Sequence, residues 1–332
     1  MNARFSRLPL LAGYATVAAM LPYLSIKVAW LAGSDLGLAE PGLMRTTPFV
    51  VGNLLTALME VVGAALALVL VHRWGHRLPA WLVLFPMWVA TGLLTPVMLA
   101  APLGFVLEVL AGAGRSGSGE DPVSGLEGWV YAVVYSGFIL QGIGLALAFA
   151  IHLRTRWSDV LRSPLRRAGA THEVQVMATV AVGALTALVV AVRLYWAFGG
   201  EAGLPNTSAA DGRLAQQALD ASSAVLALAG LLGLIVLVAG QPRTVRTWMP
   251  LAAVWIGSGS MLCSGAYQLV ILLAPGTPFE ASGGGGFGLV LVAQLLAGLL
   301  CAVTGTFHLA ENNSSLCPRG KVFTGAHAGD RG

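Results

Sequence analysis

Runs of about 20 apolar residues recur along the chain, at 8–32, 49–71, 80–102, 128–151, 174–198, 215–239, 249–274 and 286–309. At 1.5 Å per residue an α-helix of that length crosses a hydrocarbon core of roughly 30 Å. Hydrocarbon offers the backbone no water, so a spanning segment is a helix or part of a closed barrel. Continuous runs of this length, without period-two alternation, select helices. Only 10% of the residues are charged, against roughly 25% in a soluble domain, too few to cover a water-facing surface. The expected fold is all-α, a polytopic membrane protein of eight transmembrane helices. Arg4 and Arg7 precede the first run as in a secretory leader, but no small-residue cleavage site ends it, so it is read as the first span.

The chain writes one stretch twice. Lys27-Val28-Ala29-Trp30-Leu31-Ala32-Gly33-Ser34-Asp35-Leu36-Gly37-Leu38 returns 166 residues later as Arg193-Leu194-Tyr195-Trp196-Ala197-Phe198-Gly199-Gly200-Glu201-Ala202-Gly203-Leu204. Trp30, Gly33 and Asp35 correspond to Trp196, Gly199 and Glu201, and mark one membrane interface. Further along, Trp81, Leu84, Trp88 and Gly92 return at an offset of 167 as Trp248, Leu251, Trp255 and Gly259. Gly142, Ala146, His152 and Leu153 return at 156 as Gly298, Ala302, His308 and Leu309. Four helices per copy bring the chain back to its starting side, so the copies are expected to be parallel, related by an axis along the membrane normal. The expected division is a first four-helix repeat at 1–153, a basic linker at 154–173, a second repeat at 174–310 and a disordered tail at 311–332.

Most of the 19 basic residues fall in loops on one side. The positive-inside rule makes that side the cytoplasm and predicts a multi-pass cell-membrane protein with both termini inside. Charge in such loops sets orientation, so the net +4 is no sign of nucleic-acid binding. Arg154, Arg156, Arg162, Arg166 and Arg167 in the linker are expected to face anionic lipid, at about 1 kcal/mol each. The bias toward Ala, Gly, Leu, Val and Arg suggests a bacterial, high-GC genome.

Four charges inside the spans are candidates for a solute or ion pathway: Lys27, Glu60, Arg193 and Asp220. Lys27 and Arg193 lie near helix ends, so their long stems have the alternative of snorkelling to the headgroups. Glu60 sits near mid-span, where an ionised carboxylate costs about 2.5–3.5 kcal/mol unless paired or hydrated. The ungapped offset of 167 leaves Glu60 without a charged twin and aligns Asp220 with Asn53. His72, His76, His152, His172 and His308 gather at the cytoplasmic helix ends, which opens a minor haem reading. Pro22, Pro86 and Pro96 are expected to kink their helices. Cys263, Cys301 and Cys317 have no metal-ligand spacing, and no HExxH, GxSxG or phosphate loop occurs. No cofactor, no metal and no catalytic residues are therefore indicated.

The segment RLYWAFGGEAG at Arg193–Gly203 resembles a family of small four-span bacterial membrane proteins without assigned function, whose first helix ends in a pattern like H-x-Y-W-A-x-G-G-x-x-G. Arg193 stands where that family has His, and KVAWLAGSDLG in the first half is a more distant version. The resemblance implies a tandem duplication of such a unit and carries no activity with it. Three functions follow as expectations: binding or transport of a small solute or ion between the repeats, a non-catalytic scaffold docking a cytoplasmic partner on the linker, and a haem or quinone redox protein.

Overall fold

The computed structural model describes residues 8–39, 41–110, 120–121, 126–158, 161, 171–204, 213–240, 245–273 and 285–316. Among them are eight helices long and apolar enough to span a membrane. In chain order they are α1 (Leu8–Leu31), α2 (Thr47–Val71), α3 (Ala80–Leu110), α4 (Gly128–Arg156), α5 (His172–Ala197), α6 (Arg213–Ala239), α7 (Trp248–Leu273) and α8 (Gly285–Leu316). The chain is an all-α polytopic membrane protein, as its apolar runs predict. Large apolar side chains such as Leu54, Leu58, Phe85, Val180 and Leu232 stand exposed on the outside of the bundle. That surface suits lipid and would be untenable in water.

Three helices outrun their apolar cores. α3 continues to Leu110, α4 takes in Arg154 and Arg156, and α8 runs through Leu316. An α-helix satisfies its backbone internally and so can project beyond the hydrocarbon without penalty. Residues 311–316, expected in the tail, are therefore helical. Residues 317–332 and Arg162, Arg166 and Arg167 of the linker lie outside the described residues. Pro22, Pro86, Pro96 and Pro102 sit inside helices that continue past them. A π-helical turn lies at Ser260–Ser264 of α7.

The twice-written stretch folds the same way both times. The Trp30 indole donates to the Leu36 carbonyl at 2.8 Å, and the Trp196 indole to the Ala202 carbonyl at 3.0 Å. Gly33 and Gly199 end their helices at φ 90° and 93°, a left-handed conformation that a Cβ disfavours. Arg45 binds the Gly33 carbonyl (3.0 Å) and Asp35 (3.1 Å). Arg213 does the same with the Gly199 carbonyl (2.8 Å) and Glu201 (2.8 Å). The Gly37 and Gly203 carbonyls accept from the amides of Glu127 and Phe287, just before or within the first turn of α4 and α8. In each half the motif thus ties the ends of helices one, two and four together.

The halves meet chiefly through α3, which packs against α6 and α7. Where α3 crosses α7, a Cβ on Gly92 would run into the backbone carbonyl of Gly259. The Trp88 indole donates to Ser258 Oγ at 3.2 Å, and the Trp255 indole to Thr91 Oγ1 at 3.5 Å. Under the offset of 167 Gly92 corresponds to Gly259, Trp88 to Trp255 and Thr91 to Ser258, so the contact is reciprocal in the manner of a two-fold interface. Gly92→Ala should lower stability by about 1–3 kcal/mol through overpacking. Thermal unfolding in detergent reads the loss, and Gly52→Ala, where a Cβ meets nothing within 4 Å, serves as the silent control.

Candidate functional site

Arg193 and Lys27 do not snorkel. Side chains on a helix lean toward its N-terminus, and both residues lie near C-terminal ends, so each cation is directed into the bundle. Arg193 is 0% exposed and Lys27 1%. The four charges expected to share a pathway between the halves are divided instead into two clusters, one inside each half.

The second-half cluster is closed in charge, its cation paired with its carboxylate. Arg193 forms an ion pair with Asp220 at 2.5 Å, and both are fully buried. Its other terminal nitrogen donates to Gln294 Oε1 at 2.9 Å and Gln268 Oε1 at 3.2 Å. Gln216 donates to the second Asp220 oxygen at 3.1 Å, and the rings of Trp196 and Phe287 lie 5.7 and 5.8 Å from the guanidinium carbon. The π-turn serves this network, since Gln294 is held by the Met261 carbonyl and Ser264 Oγ, each at 3.3 Å. One residue from α5, two from α6, one from α7 and one from α8 thus join in one network, in which Arg193 Nε has no hydrogen-bond partner.

The first-half cluster is open. The Lys27 ammonium lies 4.0 Å from the centre of the Tyr23 ring, one turn along α1. Glu60 is 6% exposed, and Gln141 of α4, 5% exposed, lies close enough to act on its carboxylate. The charges of Lys27 and Glu60 act on one another. Among the described residues, however, the ion pairs join Arg45 to Asp35, Arg193 to Asp220 and Arg213 to Glu201, not Lys27 to Glu60. Glu60 Oε2 is buried without a hydrogen-bond partner.

The two clusters also sit at different depths. Asp220 corresponds to Asn53, and Glu60 lies seven residues further along α2, about 10 Å deeper at 1.5 Å per residue. Gln141, Gln216, Gln268, Gln294 and Tyr23 did not stand out from the sequence. The available signal was a glutamine inside an apolar run, which must find a partner there.

One pair of the cytoplasmic-end histidines, His76 and His152, lies ring on ring. His76 and His152 stack at 4.5 Å between ring centres with planes 17° apart, so neither can point a nitrogen at an iron between them. His152 Nδ1 lies 3.1 Å from the Leu70 carbonyl. His308 Nδ1 lies 2.9 Å from Gln175 Oε1, and Gln175 continues to Thr171 and Glu311. Arg156, expected at anionic lipid, donates to the Leu78 carbonyl at 2.7 Å and covers the Trp157 ring at 4.7 Å, tying α4 to the α2–α3 connection. Arg154 is exposed.

Breaking the closed cluster should be far costlier than breaking a surface pair. Asp220→Asn leaves Arg193 uncompensated in the interior and should cost about 3–5 kcal/mol. The double change Arg193→Met with Asp220→Leu should recover much of that, because no charge then remains buried. Asp35→Asn, in the exposed pair with Arg45, should cost less than about 1 kcal/mol; thermal unfolding of the four proteins side by side measures the order. The chain matches no family model, no curated protein and no solved structure.

Proposed function

We propose that this is a cell-membrane protein, both termini cytoplasmic, built from two parallel copies of one four-helix unit, whose first copy binds a small ion or solute for passage through the bilayer. The duplication is supported by the paired hydrogen bonds of the two motifs and by the reciprocal contact of Trp88 and Trp255 with the opposite half. The orientation rests on the distribution of Arg and Lys among the loops. The resemblance of RLYWAFGGEAG to a four-span bacterial family agrees with such a unit.

One observation carries the binding role: Glu60 keeps a buried carboxylate oxygen without a hydrogen-bond partner. Leaving such a group unpaired costs free energy, and a ligand that supplies the missing partner would recover it. The second copy, whose buried cation and carboxylate already pair with each other, then serves as the frame against which the first is held.

A panel of inorganic ions, small carboxylates and small amines, tested for thermal stabilisation of the purified protein, should yield at least one that raises the midpoint. Ligand at 100 times its Kd stabilises by about 2.7 kcal/mol, or roughly 5–10 °C for a chain of this size. Glu60→Gln should remove that shift and abolish uptake of the same ligand by proteoliposomes. Uptake that survives Glu60→Gln would refute the assignment. For topology, alkaline phosphatase fused after Arg45 should be active and after Arg77 inactive.

A further inference from the structure

The polar groups around Glu60 replace a solid apolar core. Under the offsets relating the halves, Tyr23, Glu60 and Gln141 correspond to Val189, Ala227 and Ala297, which are 1%, 1% and 0% exposed. The same place in the fold is thus filled with methyl groups in one half and lined with a phenol, a carboxylate and a primary amide in the other. Lys27, on the turn above, has the position of Arg193 but not its ion pair.

The chemistry of these groups restricts the ligand. The buried atom without a partner, Glu60 Oε2, is an acceptor, so the missing partner is a cation or a hydrogen-bond donor. An anion would find donors in Lys27, the Tyr23 hydroxyl and the Gln141 amide, but would face the Glu60 carboxylate. A divalent ion would set two charges against one carboxylate and the Lys27 ammonium. The site is enclosed, with Tyr23, Lys27, Glu60 and Gln141 all mostly or fully buried, which disfavours a bulky organic cation. Other titratable groups near Tyr23 are the phenols of Tyr135 on α4 and Tyr267 on α7.

We propose that the Tyr23–Lys27–Glu60–Gln141 cluster binds one monovalent cation, sodium or a proton, on the Glu60 carboxylate, in competition with the Lys27 ammonium. Sodium is held by Glu60 with the Gln141 amide oxygen and the Tyr23 phenol oxygen; a proton bonds to Glu60 directly. Lysine suits the competing role because its ammonium rides on a flexible stem and can swing between the Tyr23 face and the carboxylate. Occupied by lysine, the site is neutral without a ligand. Occupied by the external cation, the ammonium is released and the site carries one extra positive charge.

This assignment rests on the binding role proposed above and is tested separately from it. The thermal midpoint of the purified full-length protein is measured in sodium, potassium and choline chloride at equal ionic strength, and in choline across a pH series. Sodium relative to choline, or acidification within the choline series, should raise the midpoint of the wild-type protein. Glu60→Gln should melt as in choline under every condition, and Glu60→Asp should keep part of the response. Lys27→Met should lower the half-saturating sodium concentration, or shift the acid response to higher pH, by about tenfold. No response to either cation, a response retained in Glu60→Gln, or weakened binding in Lys27→Met would overturn the proposal. If another small solute then stabilises the protein through Glu60, the cation assignment alone falls; if none does, the binding role falls with it.

Discussion

A charge without water must find its partners inside the protein, and the cluster around Arg193 meets that demand at its two terminal nitrogens. Arg193 presents a planar fork of donors, and Asp220, Gln268 and Gln294 answer it from three different helices. Helix–helix association in lipid lacks the hydrophobic drive available in water, so such a node also fixes where four helices stand. The π-turn of α7 follows from the same demand. It brings the Met261 carbonyl and Ser264 toward Gln294, which holds that amide with its oxygen on Arg193. Lys27 asks for less, and the first half is correspondingly less tightly tied.

Packing repeats the contrast. In the second half α6 and α7 touch through Gly230 and Gly257, where a Cβ on Gly230 would lie 3.0 Å from the Gly257 Cα. The corresponding pair in the first half is Gly63 and Ala90, and the added methyl removes that close approach. Gly63 faces Met20 of α1 instead. α3 packs weakly on α2 and closely on α6, so α2 is held mainly by α1 and α4. At the crossing of the halves Gly92 and Gly259 meet each other, and a Cβ on Gly92 would run into the Gly259 backbone. A residue that faces its own counterpart is constrained twice by one contact.

The sequence disclosed those features that depend on period and composition. Span number, the motif of Trp30 and Trp196, and the burial cost of Glu60 were all legible, because each is set within one helix. The partnerships were not, because an apolar run gives a helix its length but not its neighbours. Lys27 and Glu60 therefore looked like members of one pathway with Arg193 and Asp220, whereas the fold gives each half its own pair. The snorkelling alternative failed because the direction of a side chain along its helix outweighs the nearness of the helix end. The indole contacts of Trp88 and Trp255 lay one step from view: the tryptophans repeat visibly, but their acceptors, Ser258 and Thr91, match only as hydroxyls.

The second half also shows what the fold requires at the depth of Glu60. There Val189, Ala227 and Ala297 fill the position, and the unit packs with all three buried. Replacing a buried ionic set by apolar groups of fitting volume is commonly neutral or stabilising, so stability gives no reason to keep a phenol, a carboxylate and an amide in the equivalent place. Stability gives still less reason to keep a carboxylate whose second oxygen lacks a partner. The closed cluster of the second half has a sufficient structural explanation in the helices it joins. The open cluster of the first does not, and on the proposed reading, in which the halves are two copies of one unit, that difference makes Tyr23, Lys27, Glu60 and Gln141 the functional residues of this chain.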